Sequence, residues 1–229
     1  MARAVLFDLG GTLVEYYARS DWPKVRDEGI AGVVHSLARE GYPAESSATV
    51  ADRAQREDHE SPDFRVRPLA GRLARIFSLS VEDPVLGALC RTFLQPVFAR
   101  GRRFEDSLGT LDELRTRSIA IAVVSNLPWG SPSLPWREEL GRWALSERVD
   151  TVVFCADVGW RKPDRRIFER ALTSLGRAPD ECLFVGDDPR WDAVGAARAG
   201  IPVAILERTG GRGGPERRIT ALTDVLDLV

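Results

Sequence analysis

Four short stretches of this sequence place carboxylate, ammonium, hydroxyl and amide side chains at the ends of apolar runs or just before a helical pattern. The stretches are Asp8-Leu9-Gly10-Gly11-Thr12, Ser125-Asn126, Arg161-Lys162-Pro163, and Gly186-Asp187-Asp188 leading to Asp192. Carboxylates can act as nucleophiles and can bind hard divalent cations such as Mg²⁺. A lysine ammonium supplies a compact positive charge. Together these residue types suit chemistry on a negatively charged substrate.

Each stretch taken singly also has a structural explanation. An Asp before Gly-Gly is common in turns, Ser-Asn often begins a loop, and Asp164 is placed to cap a helix. Lys162 is less ordinary, because only this residue and Lys24 are lysines among the 32 basic residues. A lysine kept in an arginine-rich chain marks a position where a compact ammonium matters, unless its retention is chance.

Buried parallel strands are predicted from five short apolar runs, which are rich in Val and Ile and do not alternate with polar residues. The runs are residues 4–7, 119–124, 151–155, 183–185 and 203–206. Helical patterns lie between them, one of them ending at Gly176, and this alternation predicts an α/β fold with a mainly parallel sheet. In such sheets ligands bind at the carboxyl ends of the strands.

A helical block is predicted from about residue 16 to residue 98, where the sequence has helical periodicity and no strand run. A simple parallel crossover needs little more than one helix, so this block is a subdomain inserted directly after the first strand. Tyr16, Tyr17 and Trp22 lie where the chain enters the block, and Trp129 lies in a Pro/Gly loop near Asn126. These aromatic residues are candidates for a ligand pocket, although most such side chains belong to a core.

Composition excludes several classes of protein. The 229 residues carry a net charge of −2 with only short basic clusters, so no nucleic-acid partner is indicated. The longest apolar runs have about six residues, against about 20 for a membrane-spanning helix, and the N-terminal run is too short for a secretory signal. Cys90, Cys155 and Cys182 favour buried thiols in the cytoplasm over a disulfide framework. The Gly-rich residues 210–215 lack P-loop spacing and are predicted to form a loop.

In their order and spacing, the four polar stretches resemble the motifs of the haloacid dehalogenase superfamily of hydrolases. The helical block stands where members with a small cap carry that cap, so the resemblance covers nearly the whole chain. It implies a Rossmann-like α/β core, residues 1–15 and 100–229, and an all-helical cap, residues 16–99. It also implies a hydrolase that acts on a small phosphorylated molecule with Mg²⁺ as cofactor, and it leaves the oligomeric state open.

The resemblance gives each polar stretch a role. Asp8 would be the nucleophile that forms an aspartyl-phosphate, and Lys162 would neutralise both this carboxylate and the phosphoryl group. Substrate binding would fall to Ser125, Asn126 and Thr12. The Mg²⁺ ligands would be Asp8, the Gly10 carbonyl and Asp187. Asp192 and Asp188 would lie around the ion without binding it directly.

The family's usual site lacks one part here, at Gly10. Phosphatases of the family usually carry a second Asp two positions after the nucleophile, which protonates the leaving oxygen and later activates water. Glycine keeps the backbone carbonyl but loses the proton transfer, which is worth about 10²–10⁴ in rate. One interpretation is a hydrolase whose acid comes from elsewhere or whose leaving group, as in an acyl or aryl phosphate, needs no proton. The others are a protein that binds a phosphorylated ligand without turnover and a 2-haloacid dehalogenase-like enzyme.

Overall fold

The computed structural model describes residues 2–208 and 217–229, which contain a six-stranded parallel sheet and a two-stranded antiparallel one. Its strands are β1 (Ala4–Phe7), β2 (Val14–Glu15), β3 (Arg102–Arg103), β4 (Ala120–Ser125), β5 (Thr151–Phe154), β6 (Cys182–Gly186), β7 (Val203–Leu206) and β8 (Arg217–Ile219). All five runs predicted from the sequence are strands, each within one residue of its expected ends. The Gly-rich residues 210–215 lie outside the described residues.

The α-helices lie in the segments between these strands. They are α1 (Trp22–Arg39), α2 (Ser47–Glu57), α3 (Leu69–Ile76), α4 (Leu86–Ala99), α5 (Asp106–Thr116), α6 (Ser133–Arg142), α7 (Cys155–Val158), α8 (Arg165–Leu175) and α9 (Val194–Arg198). A π-helix, Pro189–Ala193, precedes α9. No helix in the described part of the chain combines the length and apolar character that crossing a membrane requires.

The large sheet has the strand order β5-β4-β1-β6-β7-β8, and every neighbouring pair is parallel. The predicted α/β class is therefore confirmed. Phe7 at the end of β1 lies opposite both Val123 of β4 and Val185 of β6. This register brings the carboxyl ends of three central strands to the same edge of the sheet, which is where ligands bind in such folds.

The helical block contains α1 to α4, between β2 and β3. These two short strands pair with each other, Val14 opposite Arg103, so the chain leaves for the block and returns from it at one place. Within the block, α1 packs closely on α4, because Gly29 has no side chain to hold it away from the Phe93 backbone. The absence of a strand run in this region, expected from the sequence, is confirmed.

The segment between α2 and α3 contacts the loop that follows α7. The backbone N–H of Val66 donates to the carbonyl of Gly159 at 2.9 Å, and that of Arg161 donates to the carbonyl of Phe64 at 2.9 Å. These two hydrogen bonds tie the helical block to the residue next to Lys162. The following helix, α8, has the predicted cap: the Asp164 side chain accepts from the backbone N–H of Arg166 at 2.9 Å.

Candidate active site

A cavity of about 640 Å³ opens at the carboxyl edge of the sheet, between the sheet and the helical block. Eight of the residues predicted for the site line it: Asp8, Gly10, Ser125, Asn126, Lys162, Asp187, Asp188 and Asp192. They come from segments far apart in sequence, and the strand register brings them together. Tyr16, Tyr17, Trp22 and Trp129 also line the cavity, as expected.

Lys162 is the centre of the charge arrangement. Its Nζ donates to Asp8 Oδ1 at 2.7 Å and to Asp192 Oδ1 at 2.7 Å, and its side chain is only 2% exposed. Burial by itself lowers the pKa of the ammonium, but the two carboxylates outweigh it, so the pKa of Lys162 is raised above its ordinary value. The ammonium therefore stays charged across the physiological pH range.

Asp192 is the second carboxylate that holds the Lys162 ammonium. Its Oδ2 accepts from the backbone N–H of Asp188 at 3.0 Å while its Oδ1 is held by Lys162. Burial raises the pKa of Asp192 to about 6, although Lys162 acts in the opposite direction. Both oxygens of Asp192 are thus engaged within the protein, which makes it a positioning group for the lysine.

Asp187 is the third carboxylate of the cluster around Lys162. Ligand oxygens of Asp8, Asp187 and Asp192 lie within 4.8 Å of one another. Loss of water around it and the nearby charges of Asp8 and Asp192 raise the pKa of the Asp187 carboxylate to about 8. No side-chain hydrogen bond or ion pair within residues 2–208 and 217–229 engages this carboxylate. An unpaired carboxylate beside two others is a donor set that fits a hard divalent cation such as Mg²⁺.

Gly10 and Gly11, which follow Asp8, differ in whether the structure requires a glycine. Gly11 has φ 79°, in the left-handed region, and a Cβ there would collide with the Asp187 carboxylate, so only glycine fits. Gly10 is not constrained in this way. A Cβ added to it would meet only Tyr16 Cδ2, at an ordinary contact distance of 3.9 Å. The missing acid is therefore not a consequence of missing space for a Cβ.

Asn126 holds the loop that carries the lysine. Its side-chain Oδ1 accepts from the backbone N–H of Lys162 at 2.7 Å, and its Nδ2 donates to the Lys162 carbonyl at 3.1 Å. Ser125, the last residue of β4, is buried and directs its hydroxyl to the Asn126 carbonyl at 3.2 Å. Asn126 thus positions Lys162, whereas the Ser125 hydroxyl borders the cavity beside it.

Thr12 is the predicted site residue that the structure does not bring to the cavity. It is fully buried, and its Oγ1 has no hydrogen-bond partner among the described residues. Its carbonyl accepts from Arg208 at 3.1 Å. The turn at Gly10 and Gly11 directs the chain away from the sheet edge before Thr12 is reached, so closeness in sequence to Asp8 does not place it in the cavity.

Two charged residues that line the cavity, Arg19 and Glu60, were missed by the sequence analysis. Arg19 forms an ion pair with Asp188. Glu60 lies 3.1 Å from the guanidinium of Arg72 and 3.6 Å from that of Arg161. Both missed residues lie outside the four polar stretches, near or within the helical block, where no periodic signal distinguishes them from solvated charges.

Comparison with known proteins identifies the family. A sequence model of the haloacid dehalogenase-like hydrolase family matches residues 2–200. The chain belongs to this family. The cavity described above lies where the central strands of this family's fold end.

Individual relatives of this haloacid dehalogenase-like hydrolase include phosphatases. A phosphoserine phosphatase from Thermus thermophilus is 34% identical over 138 residues, which are 58% of this chain and 54% of the relative. The chain thus spans about half the length of that relative. A phosphoglycolate phosphatase from Rhodospirillum rubrum is 29% identical over 217 residues, 90% of this chain and 80% of the relative.

Solved structures agree with the fold. A 2-haloacid dehalogenase from Pseudomonas syringae superposes with a TM-score of 0.72 over 100% of this chain and 98% of its own, at 20% sequence identity. This likeness shows the architecture alone, because proteins of one fold often have different activities.

Proposed function

We propose that this protein is a Mg²⁺-dependent phosphatase that acts on a small phosphorylated molecule through an aspartyl-phosphate on Asp8. The observation that carries the proposal is the Lys162 ammonium, which lies 2.7 Å from the Asp8 carboxylate at the bottom of the cavity. A nucleophile that must approach an anionic phosphoryl group needs a fixed positive charge beside it. The phosphatases among the relatives, named for phosphoserine and phosphoglycolate, agree with a small phosphorylated substrate.

In the proposed reaction an oxygen of Asp8 forms a bond to phosphorus while the bond to the leaving oxygen breaks. Lys162 holds Asp8 Oδ1, so the other oxygen, Oδ2, is the one we assign to the attack. The Ser125 hydroxyl turns from the Asn126 carbonyl to donate to a phosphoryl oxygen, and Asn126 keeps Lys162 in place. Water then attacks the aspartyl-phosphate and regenerates the carboxylate.

Mg²⁺ would be held by Asp8, the backbone carbonyl of Gly10 and Asp187. When bound, the ion neutralises charge on the phosphoryl oxygens and helps to align the substrate. Asp192 and Asp188 would act around the ion, Asp192 through its contact with Lys162 and Asp188 through its backbone contact with Asp192. The proposal assigns the ion to Asp187 because no side-chain hydrogen bond or ion pair in the described part of the chain engages this carboxylate.

We further propose the division of the chain that accompanies this activity. Residues 1–15 and 100–229 form the catalytic core and residues 16–99 form the cap, with the cytoplasm as the site of action. The paired strands β2 and β3 stand at the two ends of the cap and support these boundaries. The carboxylate cluster, which suits a divalent cation, favours a phosphatase over a 2-haloacid dehalogenase. A dehalogenase substrate has no phosphoryl group whose charge an ion must neutralise, and its halide leaves without one.

The proposal is tested with 4-nitrophenyl phosphate and Mg²⁺, using Asp8→Asn and the matched control Asp180→Asn, whose carboxylate is exposed and distant from the cavity. We expect Asp8→Asn to lower turnover by at least about 10³-fold and the control to keep the wild-type rate. Rapid denaturation during turnover should trap labelled phosphate on the wild type and on the control but not on Asp8→Asn.

Two results would contradict the proposal. Turnover that survives Asp8→Asn excludes this carboxylate as the nucleophile. Tight binding of phosphate esters without hydrolysis of any ester tested indicates instead a ligand-binding protein whose catalysis was lost with the acid at Gly10.

A further inference from the structure

Part of the cavity wall is built from aromatic rings. Six of them line it: Tyr16, Tyr17, Trp22, Trp129, Trp136 and Trp191. Several contact one another, with ring centroids 5.7 Å apart for Tyr17 and Trp22, 6.0 Å for Trp22 and Trp129, and 5.2 Å for Tyr16 and Trp136. A group attached to a phosphoryl group held at Asp8 would share the cavity with these rings.

The polar atoms of three indoles are already satisfied within the protein. The Nε1–H groups of Trp22 and Trp129 both donate to Asp58 Oδ1, at 3.1 and 2.9 Å. That of Trp136 donates to the Ser131 hydroxyl at 2.9 Å. These side chains therefore offer a ligand the apolar surface of their rings and no hydrogen-bond donor.

The charged side chains of this wall are paired as well. Glu60 faces the guanidinium groups of Arg72 and Arg161, and Arg161 also lies over the Trp191 ring at 5.1 Å. Arg19 is paired with Asp188. A charged leaving group could therefore pair with Arg19, Glu60 or Arg161 only by separating an existing ion pair. An uncharged planar group would pack on the rings without this cost.

Gly10 supplies no acid at the position from which the family's second Asp usually protonates the leaving oxygen. A Cβ added at Gly10 would lie 3.9 Å from Tyr16 Cδ2, so a ring edge stands beside the position of the family's missing carboxyl. An oxygen that leaves without a proton must be stable as an anion. A phenol has a pKa of about 10, whereas water, whose O–H group resembles that of an aliphatic alcohol, has a pKa of about 15.7. An aryl oxygen therefore leaves without a proton far more easily than an alkyl oxygen.

We propose that the substrates of this site are phosphate monoesters of uncharged aromatic alcohols, an assignment that rests on the proposed phosphatase activity. An Asp8 oxygen bonds to phosphorus while the phosphorus–aryl oxygen bond breaks, and its electron pair leaves as an aryloxide. Water attacks the aspartyl-phosphate at phosphorus, the bond to Asp8 breaks, and the aryloxide takes the proton that water loses. The products are a phenol and inorganic phosphate.

The test compares three compounds with Mg²⁺: phenyl phosphate, cyclohexyl phosphate and acetyl phosphate. The first two have rings of similar size but different leaving oxygens, and the third has a good leaving group without a ring. We expect kcat/KM for phenyl phosphate to exceed that for cyclohexyl phosphate by about 10²–10⁴, the factor that a general acid would otherwise supply. We also expect KM to be lower for phenyl phosphate than for acetyl phosphate.

A variant separates the ring wall from leaving-group chemistry. Trp22→Leu should raise the ratio of the KM for phenyl phosphate to that for acetyl phosphate by about 3- to 10-fold, since one aromatic contact is lost. Tyr42→Leu is the control, because this aromatic residue lies at the other end of α1, bonded to Asp83, outside the cavity lining. It should leave the ratio unchanged.

The possible failures can be told apart. Hydrolysis of acetyl phosphate without preference for phenyl over cyclohexyl phosphate overturns the aryl assignment and leaves the phosphatase proposal standing. An unchanged KM ratio in folded Trp22→Leu also overturns the aryl assignment. Failure to hydrolyse any of the three compounds overturns both proposals.

Discussion

Replacing Gly10 by aspartate tests whether proton transfer is the only deficit of this site. The substitution has room at Cβ, because a Cβ at Gly10 meets only Tyr16 Cδ2 at 3.9 Å and the residue has no positive φ. Gly11 offers no such opportunity, since a side chain added at this position would collide with the Asp187 carboxylate. The introduced carboxyl would join Asp8, Asp187 and Asp192, whose negative charges favour its protonated form.

The expected gain depends on the leaving group. General acid catalysis is worth about 10²–10⁴ in rate, or about 3–5 kcal/mol of activation free energy. For an alkyl phosphate, whose alkoxide is a poor leaving group, Gly10→Asp should raise kcat/KM by this full factor. For 4-nitrophenyl phosphate, the 4-nitrophenolate anion leaves without a proton when the phosphoryl group is transferred to Asp8. The rise in kcat/KM for this substrate should therefore be less than about tenfold.

The assay is the steady-state rate on 2-phosphoglycolate and on 4-nitrophenyl phosphate, each with Mg²⁺, for wild type, Gly10→Asp and Gly10→Asn. The asparagine variant has nearly the same shape but cannot transfer the proton, so its rates should stay near those of the wild type. An unchanged rate on the alkyl ester in folded Gly10→Asp, or an equal rise with both new side chains, would refute the reasoning.

Two further predictions concern stability. In the metal-free protein the raised pKa values of Asp187 (about 8) and Asp192 (about 6), against 3.8 ordinarily, mean that the folded state binds protons more tightly than the unfolded state. The contribution of these two carboxylates to stability should therefore fall as pH rises from about 4 to 8. The increase in melting temperature caused by Mg²⁺ should be larger at the upper end of this range, and an increase independent of pH would contradict the charge argument. Gly29→Ala should destabilise the protein by about 1–3 kcal/mol, because the new Cβ would lie 2.7 Å from the Phe93 carbonyl oxygen. Gly109→Ala, in α5 with nothing within 4 Å, should stabilise it by about 0.5–1 kcal/mol in urea unfolding; stabilisation by both changes would show that α1 and α4 can separate easily.

Some features of the site were predictable because they depend on local sequence and on one general property of parallel sheets. A buried strand is recognisable from a short run of Val, Ile and Leu, and the polar residues after such runs share one edge of the sheet. This is why Asp8, Ser125 and Asp187 could be expected to lie together. The same reasoning included Thr12, which failed to reach the cavity, because a sequence pattern does not show where a turn changes direction.

The sequence by itself determined the order of strands and helices along the chain, the polar residues at the strand ends and the lack of a carboxyl group at Gly10. Only the tertiary structure decided which oxygens Lys162 contacts, that Asn126 holds the lysine backbone, and that Glu60, Trp136 and Trp191 line the same cavity as Asp8. The physical reason is the separation along the chain of the residues that interact. Strand and helix signals arise between residues a few positions apart, whereas these contacts join segments far apart in the chain, and their partners follow from how the helical block packs on the sheet.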